Sequence, residues 1–269
     1  MLRIEMQGQI AALFAALAFV SGGFDGLAAN GQEPPATAAR TEPPARASTT
    51  AESSPTAEPA AAETPAAEVP AELVRLSKTH DIWLDKKRNA VVIDGEVCLR
   101  AGQLEMFACP KGTKEHESIV SLNCLPEQAH AGLLAAGAKP GTAVKFDPEY
   151  QPATGPVIDI YVLWRDEQGG KHQARAQEWI KHAKTGKAME YDWVFAGSGF
   201  WKDEETGKEH YQANGGDFIC VSNFPTATLD LPVQSSQANA DLLFHAFTEK
   251  IPPKKTKVRL VLIPRKDPR

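Results

Sequence analysis

Residues 257–264 read KVRLVLIP, a stretch of strong β-strand character because Val and Ile favour extended backbone. Polar turns lie between other strand-like stretches upstream. DEQGG at 166–170 and KDEETGKEH at 202–210 each separate two such stretches, which predicts two β-hairpins. The remaining strand-like segments are 82–84, 90–99, 104–108, 118–122, 157–164, 172–178, 193–201, 211–222 and 226–231. The sequence therefore predicts a hairpin-rich, mostly antiparallel sheet.

Two segments predict main helices beside this sheet. Residues 126–138, PEQAHAGLLAAGA, start with Pro126, which suits a first helical turn, and reach a stop signal at Gly137. Residues 238–248 carry apolar side chains at helical spacing. A shorter helix is expected at 179–187. Together with the sheet, these helices predict an α+β fold, and the βαβ alternation of nucleotide-binding folds is absent.

The N-terminus predicts export. Residues 10–20, IAALFAALAFV, form an apolar run that is too short to span a bilayer, which takes roughly 20 residues. Arg3 precedes this run and small residues follow it, so residues 1–29 are predicted to be a signal peptide. An uncleaved amphiphilic anchor is the alternative. We expect an exported protein of the periplasm or cell envelope, without a transmembrane helix in the mature chain.

Residues 30–71 predict a disordered linker rich in Pro, Ala, Thr and Glu. Eight of the twenty prolines lie in 31–71, which holds neither aromatic residues nor cysteines. Such a composition buries too little apolar surface to offset the entropy lost on ordering. The folded domain is expected at 72–269. It contains 26 basic and 26 acidic residues, and this neutral balance argues against a nucleic-acid partner.

All four cysteines, at positions 98, 109, 124 and 220, fall in the predicted domain. In an exported protein an even number of cysteines points first to disulfides, with three possible pairings. The spacing differs from that of a compact disulfide scaffold, and two of the thiols lie in apolar strand-like contexts. Disulfides, inert buried thiols and a functional thiol therefore all stay open.

Residues 104–118, LEMFACPKGTKEHES, gather groups that could carry chemistry. Cys109, His116 and Glu117 lie within this stretch, and a Pro–Gly turn separates the thiol from the imidazole. A metal site would need completion by distant residues, for which His130 and Cys220 are the candidates. Neither Cys-x-x-Cys nor His-x-x-x-His occurs, so no local pair nucleates a metal centre. A strand running into a polar loop explains the same residues.

Aromatic residues concentrate at 191–211, where alternation along a strand explains most of them by core packing. Trp201 abuts the polar turn and is a candidate ligand contact at a rim, for example to a glycan. Ser198 lies between two glycines but lacks the strand–turn–helix context of a hydrolase nucleophile. A glycine-containing bulge is the simpler interpretation.

Two stretches, GEVCLRAGQLEMFACPKGTKEHESIVS at 95–121 and HAGLLAAGAKPG at 130–141, carry a family resemblance that extends over nearly all of 80–265. In these motifs the sequence resembles the YdjY-domain family of bacterial exported proteins. The His-Glu-Ser step that begins at His116 is its most specific part. The resemblance implies an exported or envelope domain with a variable N-terminal linker. It implies no reaction and no catalytic residue.

These observations favour a binding or structural role over an enzymatic one. The expected partner is an envelope component or a small ligand, contacted through Cys109, His116, Glu117 or Trp201. The alternative is a metal-binding or redox protein that uses Cys109 and His116, and a hydrolase comes third. No cofactor is assigned.

Overall fold

The structure, a computed structural model, describes residues 73–235 and 243–266. The chain divides into two units, 1–68 and 69–269, and all of the described residues belong to the second. The predicted signal peptide and linker lie outside the described residues, so their limits stay predictions.

In the part of the chain that the structure describes, most of the regular structure is β-strand. The strands in chain order are β1 (Leu73–Arg75), β2 (Ile82–Asp85), β3 (Ala90–Val97), β4 (Met106–Pro110), β5 (Ser118–Leu122), β6 (Val157–Arg165), β7 (Lys171–Arg175), β8 (Ile180–His182), β9 (Trp193–Phe195), β10 (Phe200–Lys202), β11 (Glu209–Tyr211), β12 (Ile219–Cys220), β13 (Leu229–Asp230), β14 (Phe244–Ala246) and β15 (Lys257–Pro264).

Eight strands close into a barrel. Around it they follow the order β3–β15–β6–β9–β13–β12–β4–β5, and β5 pairs back onto β3. Strands β2 and β1 extend outward from β3, and β7 pairs with β6. Most pairs are antiparallel, but β4–β5 and β12–β13 are parallel. Strands β10–β11 and β8–β14 form two separate two-stranded sheets, whose strands do not pair with the barrel.

The last strand, β15, shows how the sequence favours this barrel. Its alternate residues Val258, Leu260 and Leu262 belong to the central hydrophobic core, as the two-residue period of a strand requires. Arg259 lies on the opposite face, where its guanidinium binds the Asp94 carboxylate through bonds of 2.6 and 2.7 Å. Because β15 pairs along both edges, with β3 and β6, it ties two parts of the barrel together.

The predicted helix at 126–138 is confirmed as α1 (Pro126–Ala135). Pro126 occupies the first turn, and Gly137 follows the helix with a φ of 91°. Ala129 and Leu133 are fully buried in the core. The helix packs on β2 and β3, and it also contacts the short segment 212–215.

The predicted α+β fold with two main helices is wrong. The described residues contain a single α-helix and two short 3-10 helices, Ala176–Trp179 and Gln212–Gly215, beside the closed barrel. Of the second predicted helix, 238–248, residues 244–246 form strand β14, and residues 238–242 lie outside the described residues. Phe244 and Ala246 are both buried and pair with β8, so alternation outweighs the helical spacing. The expected short helix at 179–187 is replaced by β8 in the same way.

Candidate functional site

The thiol and the imidazole of 104–118 occupy contrasting surroundings. Cys109 lies on β4 with no solvent exposure, and burial raises the pKa of its thiol. His116 lies in the loop before β5 with 78 % of its side chain exposed, and its Nε2 is 3.8 Å from a Glu117 carboxylate oxygen. The Cys109 thiol is therefore buried in a strand, whereas the His116 imidazole is exposed to solvent.

The two proposed completions of a metal site lie elsewhere. Cys220 on β12 is fully buried, and burial raises the pKa of its thiol well above the ordinary value. His130 lies on α1 and bonds to Tyr211. Within residues 73–235 and 243–266, no group of three or more His, Cys, Asp or Glu side chains could hold a metal ion. All four cysteines are free thiols, so the structure supports no disulfide.

Glu117 belongs to a polar network between two loops. The Lys114 ammonium is 2.9 Å from Asp217 Oδ1 and 3.8 Å from Glu117 Oε1. It also lies over the Phe224 ring, 4.4 Å from its centroid. Burial and the neighbouring Glu117 charge raise the pKa of Glu105. The contacts of Lys114 with Asp217 and Phe224 hold the loop after β4 against the segment around β12, and Glu117 lies beside them.

Trp201 lies on an exposed aromatic hairpin formed by β10 and β11. Its ring stacks on His210 of the paired strand, with 4.7 Å between centroids and 20° between planes. Trp201 is 48 % exposed and its neighbour Phe200 is 62 % exposed, whereas Trp179 and Trp193 are buried. Because Phe200 and Trp201 are consecutive in β10, their side chains lie on opposite faces of the hairpin. The Trp201 face, with its ring stacked on His210, is a candidate surface for a ligand.

A hydrogen bond between the buried Tyr211 and the half-buried His130 anchors this hairpin to α1. The Tyr211 hydroxyl, at the end of β11, is 2.8 Å from His130 Nδ1 and 3.2 Å from Thr228 Oγ1. Burial raises the pKa of Tyr211 to about 12 and lowers the pKa of His130. Both side chains are therefore uncharged at neutral pH, and the bond between them needs no ion pair. Sequence reasoning had singled out His130 but not Tyr211 as its partner.

The glycine–serine segment directs the chain from β9 into the hairpin. Gly197 has a φ of 83°, and a Cβ there would lie 2.3 Å from Pro140 Cβ. Ser198 follows with a φ of 21°, and its Oγ donates to the Thr226 carbonyl at 2.6 Å. The predicted bulge-like break is what the structure shows between β9 and β10, since only glycine fits the first position without strain.

Sequence reasoning missed a buried polar cluster around Asp230. This residue is fully buried on β13, and its Oδ1 accepts from Leu231 N at 2.7 Å and from Asn223 Nδ2 at 3.1 Å. Burial raises the pKa of Asp230 to about 7, although these hydrogen bonds act against it. The sequence LDLP at 229–232 places this acid between two leucines, which could have indicated burial. The same pattern also occurs at exposed strand ends.

Asp230 predicts a pH dependence of stability. Because its pKa rises from 3.8 to about 7 on folding, the folded state binds this proton more tightly than the unfolded state. The resulting stabilisation is complete below the ordinary pKa and is lost as the pH rises to about 7. We expect the free energy of unfolding of wild type to fall over this range relative to Asp230→Asn, in denaturant titrations at several pH values. A constant difference between the two proteins would contradict the assignment.

The fold defines a class: a mostly β domain built around a closed eight-stranded barrel, with an exposed aromatic hairpin beside it. The YdjY domain model matches residues 82–263, so the chain belongs to the YdjY domain family, as its motifs predicted. No curated protein and no solved structure matches the chain. None of the helices in the described residues is long and apolar enough to cross a membrane.

Proposed function

We propose that this protein is an exported binding domain that contacts a glycan of the cell envelope through the aromatic hairpin. The single observation that carries this proposal is the half-exposed ring of Trp201 on β10, which stacks on His210 of the paired strand. The apolar signal run and Pro-rich linker of the sequence support export. A binding role also agrees with a site that has aromatic rings at its surface and uncharged, hydrogen-bonded groups behind them.

The chemistry of the hairpin fits a sugar ring. The indole of Trp201 offers a flat apolar face for the C–H face of a pyranose, while polar groups around it can bind hydroxyls. Lys202 and Glu209, which pair directly across the hairpin, are exposed and lie one residue along each strand from the stacked rings, on the opposite face. His210 supports one face of the indole, so the ring is held in place before a ligand arrives, which reduces the entropy lost on binding.

Co-sedimentation with purified, insoluble peptidoglycan tests this proposal. We expect the full chain to sediment with the polymer and Trp201→Ala to bind at least about tenfold more weakly, as for loss of an aromatic hot spot. Phe146→Ala is the matched control, because Phe146 is also 48 % exposed but lies outside the hairpin. Wild-type protein that stays in the supernatant, or equal binding by Trp201→Ala, would contradict the proposal.

A further inference from the structure

A buried carboxyl group lies at the end of a short segment that holds the hairpin in place. Asp230 Oδ2 has no hydrogen-bond partner among the described residues, and the hydroxyl of Ser222, two residues beyond the adjacent strand β12, has none either. Both residues have zero exposure. An unpaired buried oxygen is far more costly as part of a carboxylate than as part of a neutral acid. The local geometry therefore suits a protonated side chain.

Among the described residues, the charged group that acts most on this carboxyl is itself negative. Asp217 acts on it with a negative charge, and Cys220 and Tyr150 both have their pKa raised by Asp230. The nearby ammonium of Lys114 binds Asp217 instead. Burial accordingly raises the pKa of Asp230 to about 7, which brings its ionisation into the range in which an envelope protein works.

Residues 226–228, which lie shortly before Asp230, hold both ends of the hairpin. At the end of β11, Thr228 Oγ1 bonds to the Tyr211 hydroxyl. Before β10, the Thr228 carbonyl accepts from Gly197 N at 3.0 Å, and the Ala227 carbonyl accepts from Ser198 N at 3.0 Å. Any displacement of 226–230 that lets water reach the Asp230 carboxylate must therefore disturb the hairpin anchors.

We propose that Asp230 is a proton-binding site that regulates the aromatic hairpin through residues 226–228. With the proton bound, the Asp230 carboxyl on β13 stays buried away from water, and the hydrogen bonds to Tyr211 and Ser198 hold the hairpin in its binding geometry. When the proton leaves, the buried charge favours a hydrated arrangement of 226–230 and the hairpin loosens. A ligand that prefers the held hairpin is then bound more tightly at lower pH. This effect on ligand rests on the proposed function, but the structural link does not.

Nuclear magnetic resonance of the full chain tests the structural link without a ligand. Between about pH 5.5 and about pH 8.5, we expect the Asp230 ¹³Cγ signal and the Gly197 and Ser198 amide signals to titrate with one midpoint. In Asp230→Asn the amide transition should vanish. Asp166→Asn, an exposed Asp-to-Asn change in the β6–β7 turn, should keep it. Gly197 and Ser198 amide signals that do not titrate with the Asp230 midpoint in wild type would overturn the inference. The same signals titrating equally in Asp230→Asn would also overturn it.

Peptidoglycan co-sedimentation at the two ends of the pH range separates this inference from the proposed function. We expect wild type to bind about fivefold more weakly at the higher pH, and Asp230→Asn to bind equally at both. Absence of wild-type binding at every pH would overturn the proposed function and leave the amide test of the link standing. Equal wild-type binding at both pH values would overturn regulation while leaving the hairpin as the binding surface.

Discussion

Replacing Trp193 with alanine is expected to lower the free energy of unfolding by about 3–5 kcal/mol, the usual range for removing a large aromatic side chain from a core. Trp193 is fully buried, and its ring lies 5.7 Å from that of Phe107 between centroids. Its Nε1 also donates to the Cys220 carbonyl at 2.7 Å. The substitution leaves a cavity and an unpaired buried carbonyl together, and both are unfavourable.

Denaturant titration of the full chain, followed by circular dichroism, measures this loss. Trp201→Ala is the matched control, since the same atoms are removed from a half-exposed position on the hairpin. We expect the control to change the free energy of unfolding by less than about 1 kcal/mol. Similar losses for the two variants would show that Trp193 does not occupy the packed position described here.

Replacing Gly95 with alanine is the second change with a large expected effect. Gly95 lies on β3 opposite Leu122 of β5, in the pair of strands that closes the barrel. A Cβ at this position would be 2.4 Å from the Ser121 carbonyl oxygen and 2.9 Å from Leu122 Cδ2. Since the carbonyl belongs to a paired strand, the contact is relieved only by separating β3 from β5. We expect a loss of about 3 kcal/mol, the upper end for overpacking.

Hydrogen exchange locates the effect of Gly95→Ala within the barrel. The amides of Cys98 and Asn123 bond across the same strand pair, to Ile119 and Asp94, and should exchange faster in the variant. Gly215→Ala provides the control, because a Cβ at Gly215 would meet nothing within 4 Å. Unchanged stability and unchanged exchange at Cys98 and Asn123 would contradict the closure of the barrel between β3 and β5.

Local signals predicted the parts of the fold that local interactions decide. Pro126 and Gly137 bounded α1 because caps act on neighbouring residues, and the polar turns DEQGG and KDEETGKEH predicted two antiparallel hairpins that the structure contains. Closure of the barrel was not predictable in this way. It depends on Gly95 meeting a strand more than twenty residues later, and a single sequence shows no such contact. The same limit explains the second predicted helix, where pairing of Phe244 and Ala246 with β8 decided the outcome.

The candidate site was predictable in part. The position of Trp201 beside a polar turn suggested a rim, and its exposure agrees with that. The partner of His130 was not predictable, because Tyr211 lies 81 residues away along the chain. The burial of Asp230 depends on the loop that follows β12, and composition does not reveal it. Cys109 and His116 looked like one site because they are neighbours in sequence, but burial of one and exposure of the other give them different chemistry.

The most direct test of the proposed binding surface is the accessibility of Trp201 to iodide, with and without soluble peptidoglycan fragments. Iodide quenches exposed indoles, and Trp201 is far more exposed than Trp193 or Trp179. We predict that fragments reduce the quenching of wild-type fluorescence, and that this protection is absent in Trp201→Ala. Quenching that stays unchanged at saturating fragment, or equal protection in Trp201→Ala, would contradict the account.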